Sequence, residues 1–225
     1  MSGLEDKLKL TRENLRRVAV RFDPEHVHVA WTGGKDSTLV LYLWTEALRL
    51  QGFPEKVRAL NVDTGLKFPE VIKFRDKMAE KMNIDLNVAR PGQDLASYPV
   101  AEDKIKCCTD LKISPLNRAI QDLNIKCLIT GIRMDEHPSR DRRSFLEDGD
   151  FPCTRANPIL DWTEMDVWTF IWQEGLDYCP LYDQGYRSLG CMPCTNRSGE
   201  APEERAGRDP SKERVLDTLR SLGYF

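Results

Sequence analysis

The chain has 225 residues, of which 40% are hydrophobic and 31% charged, and its formal net charge is −3 at pH 7. This composition is typical of a soluble globular domain and excludes a largely disordered chain. The small negative charge gives no support to general nucleic-acid binding, and no stretch approaches the ~20 apolar residues that a membrane-spanning helix needs, so we expect no membrane partner.

The N-terminus and the cysteine content bear on the cellular compartment. Residues 1–21 are charged and amphipathic and lack the apolar core of a signal peptide. Seven cysteines in a chain without a recognisable secretion signal favour metal ligation or redox chemistry over structural disulfides. We therefore expect a cytoplasmic protein.

Helical and strand-like apolar patterns alternate along the chain. A predicted helix over residues 4–22 precedes a strand over 27–31, and a Gly-Gly turn then leads into a second helix. The other predicted strands lie at 57–62, 85–88, 127–132 and 157–160, and the other predicted helices at 68–82, 110–124, 163–173 and 211–222. This order predicts an α/β fold with a doubly wound, mostly parallel, Rossmann-like sheet that carries helices on both faces.

The turn after the first strand, Thr32-Gly33-Gly34-Lys35-Asp36-Ser37, has the features of an anion-binding loop (the glycine loop, residues 32–37). Its glycines let the backbone approach an anion, and the first N–H groups of the next helix point toward it. The spacing fits neither G-x-x-x-x-G-K-S/T nor G-x-G-x-x-G. Polar loops at 63–65 and 131–140 also follow strands, and loops at the carboxyl ends of parallel strands meet in one crevice. We expect these three loops to form a phosphate-binding crevice.

Four cysteines form two pairs that lie about 80 residues apart in the sequence. Cys107 and Cys108 are adjacent, whereas Cys191 and Cys194 form a C-x-x-C. Thiolates brought together in this way can hold a [4Fe–4S] cluster or a zinc ion, although an adjacent pair is less usual at zinc sites. The spacing alone leaves open a cluster, zinc and unrelated cysteines. The other three, Cys127, Cys153 and Cys179, are read as buried apolar residues.

Five segments together resemble the adenylylsulfate and phosphoadenylylsulfate reductase family of the PP-loop ATP-pyrophosphatase superfamily. They are the glycine loop, Cys107-Cys108-Thr-Asp-Leu-Lys-Ile-Ser-Pro115-Leu116, Gly131-Ile-Arg133-Met-Asp-Glu136-His-Pro-Ser139-Arg140, and the stretches 157–168 and 181–195. The resemblance covers about residues 25–210. It implies an adenine nucleotide alpha-hydrolase-like fold, an adenine nucleotide substrate, a role in sulfur metabolism, and a [4Fe–4S] cluster on the four cysteines.

Two sister families share parts of the pattern. Residues 63–68, 74–76 and 223–225 resemble the small subunit of heterodimeric ATP sulfurylase, and residues 157–168 and 181–190 are similar to FAD synthetases. These enzymes act on adenine nucleotides at or near the α-phosphate. The resemblance therefore leaves adenylyl transfer from ATP, with release of pyrophosphate and a need for Mg²⁺, as an alternative reaction.

One departure from the reductase pattern concerns the nucleophile. The family carries a Glu-Cys-Gly-Leu/Ile-His segment whose cysteine attacks the sulfonyl sulfur to form a thiosulfonate, and no cysteine follows Cys194 here. The catalytic residue is therefore unknown. We expect a thioredoxin-like or other thiol-bearing partner, or a second subunit, to supply the thiol. The alternatives are adenylyl transfer and a non-catalytic nucleotide-binding scaffold.

Loop positions and the resemblance together predict the site. The nucleotide- and phosphate-binding set is Thr32, Gly33, Gly34, Lys35, Asp36, Ser37, Asp63, Thr64, Gly65, Arg133, Arg140, Arg205 and Arg208. The metal ligands are Cys107, Cys108, Cys191 and Cys194, and Lys112 lies one helical turn after Cys108, where it could point at the cluster or the substrate.

Some of these roles have a simpler alternative. Asp36 would hold Mg²⁺ if the substrate is ATP and would otherwise only cap its helix, and Arg205 and Arg208 could be exposed arginines. Arg142 and Arg143 are read as a solvated basic face. We expect a nucleotide-binding domain over 1–175, with a Cys-x-x-Cys loop and a helical tail over 176–225 packed on it.

Overall fold

The computed structural model describes residues 3–53, 56–140, 143–148, 151–198 and 201–224. A six-stranded sheet in the order β3-β2-β1-β4-β6-β5 forms its centre. The strands are β1 Val27–Ala30, β2 Arg58–Val62, β3 Asp85–Ala89, β4 Cys127–Ile129, β5 Leu146–Glu147 and β6 Thr154–Ala156. Every pair is parallel except β5 with β6 at one edge. The predicted mostly parallel α/β fold is confirmed.

Helices cover both faces of this sheet. The α-helices are α1 Leu4–Arg21, α2 Lys35–Leu50, α3 Pro69–Lys81, α4 Lys104–Cys108, α5 Ser114–Asp122, α6 Glu164–Gln173, α7 Pro210–Arg214 and α8 Leu216–Ser221. A π turn, Thr109–Ile113, joins α4 to α5. Short 3₁₀ turns lie at Pro24–His26, Pro138–Arg140, Tyr182–Gln184, Met192–Cys194 and Glu204–Gly207. No described helix has the length and apolarity required to cross a membrane.

The core is divided by the sheet into two layers. The larger layer packs α1, α2, α3 and α6 around the fully buried rings of Trp31, Trp44 and Trp162. The smaller one packs α5 on the opposite face, with Leu116 and Ile120 against the strands. Each fully buried large apolar side chain contributes about 1.5–3 kcal/mol by leaving water. Since β1 is buried throughout and lies between β2 and β4, the loop that follows it is held at the middle of the sheet, where the strands end.

Three predicted elements are corrected. The strand predicted at 157–160 is wrong: the strand is Thr154–Ala156, and the chain turns after it, where Pro158 has no N–H to donate. The helix predicted at 110–124 begins earlier, because the Asp103 side chain accepts a hydrogen bond from the backbone N–H of Lys106 and caps α4. The helix predicted at 211–222 is interrupted at Val215.

Candidate functional site

A deep cleft opens at the carboxyl ends of the central strands. Its volume is about 1190 Å³, including the solvent in its mouth. Ala30, Leu60 and Leu116 give it an apolar floor, and polar groups come from the loops around it. Of the predicted nucleotide-binding set, the cleft is lined by Thr32, Gly34, Lys35, Asp36, Ser37, Arg140, Arg205 and Arg208. Gly33, Asp63, Thr64, Gly65 and Arg133 lie outside the described lining.

The glycine loop is closed on itself by hydrogen bonds. Ser37 Oγ accepts from Thr32 N at 3.2 Å, and Thr32 Oγ1 accepts from Gly34 N at 3.3 Å. Gly33 has φ +82°, and a Cβ on it would lie 3.0 Å from a methyl carbon of Val71, so glycine is required there. The loop therefore holds its conformation without a ligand.

Two further contacts shape the cleft side of the loop. The backbone N–H of Lys35 donates to the Tyr182 hydroxyl at 2.9 Å. One N–H group at the start of α2 is therefore already bonded to an oxygen of the protein. A Cβ on Gly131 would lie 2.8 Å from Ser37 N, which shows how closely the loop after β4 approaches the same helix. Tyr182 lay outside the predicted site because nothing in the sequence links it to the loop.

Lys35 and Arg133 do not present free charges to the cleft. Lys35 is 1% exposed and donates to Asp36 and Glu204. Arg133 is fully buried and donates to Asp36 at 2.6 Å, to Glu204 and to Asp135. Burial alone would lower the pKa of Lys35, but its acidic neighbours outweigh burial and raise it. Glu204, which sequence reasoning missed, thus ties the C-terminal segment to the glycine loop.

Arg140 and Arg205 share their carboxylate partners. Arg140 pairs with Glu136, and Arg205 donates to Glu136 at 2.8 Å. Arg205 also donates twice to Glu213, at 2.8 and 2.7 Å. Arg205 is only 8% exposed, so its interpretation as an exposed arginine is wrong. Both guanidinium groups line the cleft while being held by fixed acids.

Three cations of the cleft have a different environment. Lys67, Lys112 and Arg208 line it, and no carboxylate of the described residues forms an ion pair with any of them. Arg208 donates instead to Ser188 Oγ, Thr195 Oγ1 and the Leu189 carbonyl, at 2.9–3.0 Å. Burial, reinforced by the Lys112 charge, lowers the pKa of Lys67 to about 8. Cations that gather in a cleft without a carboxylate partner among the described residues indicate a site for an anion.

The predicted residues Asp63, Thr64 and Gly65 support a neighbouring loop instead of lining the cleft. Asp63 Oδ1 accepts from Gly65 N at 3.0 Å, which closes the turn. Thr64 Oγ1 lies 3.2 Å from Cys191 Sγ, and the backbone of Met192 donates to the Leu66 carbonyl at 2.8 Å. The turn after β2 therefore fixes the position of the C-x-x-C segment.

The four predicted ligand cysteines line one small cavity, of about 290 Å³ including the space open to solvent (the cysteine cavity). Cys107 and Cys108 come from the end of α4, which is helical and not a loop, and Cys191 and Cys194 flank a 3₁₀ turn. All seven cysteines are free thiols. Two cysteine pairs that are distant in sequence therefore converge on one cavity.

The chemistry of the donor set can be tested against the two metal centres. A zinc ion requires four sulfurs at ~2.3 Å from one point. Among the described residues, no group of three or more His, Cys, Asp or Glu is placed to hold a single ion. A [4Fe–4S] cluster also takes four thiolates, spread over a larger volume, and the four cysteines that line this cavity supply that number of ligands. Burial alone would raise the pKa of Cys191, but Lys112 and Lys67 outweigh it and lower the pKa to about 7, which favours the thiolate.

Lys112 connects the cleft with the cysteine cavity. It lies in the π turn after Cys108 and lines both. Its ammonium lies 5.4 Å from the centre of the Tyr224 ring, which also lines the cleft. Burial would lower the pKa of Lys112, but Cys191, Tyr224 and Cys108 outweigh burial and raise it. The cation therefore stays charged at the boundary of the two cavities.

Comparison with known proteins gives this arrangement a family. The sequence model of the phosphoadenosine phosphosulfate reductase domain family matches residues 26–197. Adenosine 5′-phosphosulfate reductase 1 of Bacillus subtilis is 35% identical over 157 residues, which are 65% of this chain and 66% of that protein.

Solved structures show the same fold. The phosphoadenylyl-sulfate reductase of Candida auris, in a phosphate complex, has a TM-score of 0.69 at 19% identity and covers 87% of this chain and 98% of its own. The FMN adenylyltransferase of Candida glabrata, with FMN and an ATP analogue, has a TM-score of 0.72 at 16% identity, over 98% of this chain and 81% of its own. From the match over residues 26–197, the chain belongs to the phosphoadenosine phosphosulfate reductase domain family.

Proposed function

We propose that the chain is an enzyme of sulfur metabolism that binds adenylylsulfate, or its 3′-phosphorylated form, in the cleft beside an iron–sulfur cluster. The observation that carries this proposal is the close approach of the cleft to the cysteine cavity at Lys112. Lys112 lines both, and Lys67 and Arg208 add positive charge on the cleft side with no carboxylate partner among the described residues. The reductase names of the relatives agree with this class of substrate.

The cleft suggests how the nucleotide would lie. The apolar floor of Ala30, Leu60 and Leu116 suits an adenine ring, which leaves the anionic end for the cations near the cysteines. Backbone N–H groups at the start of α2, from Lys35 to Ser37, would cradle a phosphate oxygen. The Tyr182 hydroxyl, bonded to Lys35 N, occupies a position that such an oxygen could take over.

Other predicted residues would act indirectly. Arg133 is fully buried against Asp36 and Glu204, so we propose that it positions the glycine loop and does not touch the nucleotide. Asp63, Thr64 and Gly65 would hold the C-x-x-C segment in place. Since residues 204, 205, 208 and 224 line the cleft, we also propose that the segments 1–175 and 176–225 work as one unit.

The proposed reaction is transfer of the sulfonyl group to a thiol. A thiolate sulfur would form a bond to the sulfate sulfur while the bond between that sulfur and the bridging phosphate oxygen breaks. The nucleotide monophosphate would leave with the electron pair of that bond, and the thiol would become a thiosulfonate. Lys67, Lys112 and Arg208 would stabilise the negative charge that grows on the leaving phosphate.

Two components of this reaction are proposed from the chemistry of the site. Cys107, Cys108, Cys191 and Cys194 would hold a [4Fe–4S] cluster, which when bound would set the electrostatics of the cleft and would not carry electrons, by analogy with the family. None of the described residues lining the cleft is a cysteine, so we propose that the thiol comes in trans, from a thiol-bearing partner or a second subunit.

The test is anaerobic purification followed by a binding comparison. The protein should be brown and contain iron and sulfide, and it should bind adenylylsulfate or its 3′-phosphorylated form more tightly than ATP. Colourless protein with one zinc per chain would contradict the cluster. Release of pyrophosphate from ATP that depends on Mg²⁺ would favour adenylyl transfer, and nucleotide binding without turnover beside thiol donors would favour a scaffold.

A further inference from the structure

A second concentration of positive charge lies outside the lining of the cleft. It consists of Arg143, which precedes β5, Arg155 of β6 and Arg220 of α8 (the arginine cluster). Arg143 and Arg155 share the carboxylate of Glu147, and Phe151, which Arg155 contacts, lies against Gly223 just after the end of α8. Burial and then the charge of Arg143 lower the pKa of Arg155, and Arg220 acts in the same direction. The interpretation of Arg143 as part of a solvated face is wrong, since its side chain is 7% exposed, whereas Arg142 lies outside the described residues.

One carboxylate, that of Glu147, pairs with two of the three arginines. Glu147 of β5 accepts from Arg143 Nη1 at 2.5 Å and lies 3.3 Å from Arg155 Nε. Arg220 pairs with Asp217 at 3.4 Å, but Asp217 is 85% exposed on its side-chain surface and contributes little at such a distance. Among the described residues, the buried part of the cluster therefore holds more positive than negative charge.

Buried guanidinium donors in the cluster lack acceptors. Arg143 Nε, Arg155 Nη1 and Arg220 Nε are buried and have no hydrogen-bond partner among the described residues. Arg155 Nε also makes no hydrogen bond, although a Glu147 oxygen lies 3.3 Å away. These are four of the eight such atoms in the described chain, so the deficit is concentrated here. A buried donor without an acceptor is unfavourable, and a charged one more so.

An oxyanion would supply both the negative charge and the hydrogen-bond acceptors that the cluster lacks. A phosphate or sulfate group carries up to two negative charges and several acceptor oxygens, and arginine forks suit it geometrically. We propose that the arginine cluster is a second binding site, for a phosphate or sulfate group, which neither the cleft nor the cysteine cavity contains.

The position of the cluster allows two sources of this group. The Arg155 guanidinium carbon lies 4.6 Å from the centre of the Phe151 ring. Carbons of that ring lie 3.8 Å from where a Cβ on Gly223 would be, and Gly223 lines the cleft. One aromatic ring thus separates the cluster from the cleft. The group is either a free anion or an additional phosphate of a nucleotide bound in the cleft.

The test is a titration of inorganic phosphate into the full chain at constant ionic strength, followed by ³¹P NMR. Arg220→Gln, at the most exposed of the three arginines, should raise the Kd for phosphate at least about tenfold, as expected for loss of a charged hydrogen bond. Arg118→Gln removes the same charge from an exposed position on α5 and should leave the Kd within about twofold. Arg155→Gln, with its folding checked by urea unfolding, is the second variant.

The outcomes separate this site from the cleft. Phosphate binding that is unchanged in both cluster variants overturns the proposal, as does binding lost in Arg208→Gln alone. For the source, phosphate that still binds when adenosine monophosphate saturates the cleft supports a free anion. If Arg220→Gln weakens the binding of 3′-phosphorylated adenylylsulfate but not of adenylylsulfate, the group is a phosphate of the nucleotide. If it weakens the binding of both equally, the proposed site is wrong. The phosphate titration does not depend on the proposed reaction.

Discussion

Replacing Glu204 with glutamine should destabilise the chain strongly, because this carboxylate compensates two buried cations. It accepts from Lys35 and Arg133, whose side chains are 1% and 0% exposed, and its own is 7% exposed. Removing one member of a buried ion pair costs about 3–5 kcal/mol, since the remaining charge stays buried without compensation. Asp36 still bonds both cations, so we expect the lower end of that range, about 3 kcal/mol.

The assay is urea unfolding of Glu204→Gln beside the matched control Glu203→Gln. Glu203 is exposed and adjacent, so its substitution should change the free energy of unfolding by less than about 0.5 kcal/mol. With a slope of roughly 2–3 kcal/mol per molar urea, the Glu204 variant should unfold about 1 M earlier. Equal midpoints for the two variants would refute the inference that Glu204 neutralises the cations beneath the glycine loop.

Three further predictions concern the cleft and the sheet. Arg208→Gln should weaken adenylylsulfate binding about 10- to 100-fold in a calorimetric titration, whereas Arg118→Gln should not, and equal affinities would contradict the anion site. Gly131→Ala should weaken nucleotide binding and destabilise the fold by about 1–3 kcal/mol, while Gly92→Ala, where a Cβ meets nothing within 4 Å, should do neither. Burial, together with the nearby charge of Arg58, lowers the pKa of His28 to about 4. Since a histidine in the unfolded chain takes up a proton near pH 6.5, the free energy of unfolding should fall between pH 6.5 and pH 4, by up to about 3 kcal/mol. His28→Gln should not show this loss of stability. A urea midpoint of the native chain that does not change between pH 6.5 and pH 4 would contradict the prediction.

Local patterns were sufficient for much of the fold. The unit of β1, the glycine loop and α2 follows from a short buried run, two glycines and a helical repeat, all within a few residues of one another. The helix predicted at 163–173 is also confirmed as α6, and Thr163 caps it in a complete capping box. The strand assigned to 157–160 failed because apolar residues in a buried turn have the same composition as a short strand.

The site depended more on contacts between distant segments. The cysteine pairs could be joined only through the family resemblance, because periodicity says nothing about which loops meet. Glu204 lies in a run of charged residues that is typical of a solvated surface, yet it is buried against Lys35. Arg143 and Arg155 converge with a residue from α8, and no local signal marks that meeting. Charges buried by tertiary contacts were therefore the part that the sequence could not predict.

The central claim is that the sulfate end of the nucleotide lies beside a cluster held by the four cysteines. The most direct measurement is the Mössbauer spectrum of anaerobically prepared, ⁵⁷Fe-labelled protein with and without saturating adenylylsulfate. We expect a [4Fe–4S] signal that changes when adenylylsulfate binds and changes less with adenosine monophosphate, which lacks the sulfate. Absence of a cluster signal, or a signal that saturating adenylylsulfate leaves unaltered, would contradict the account.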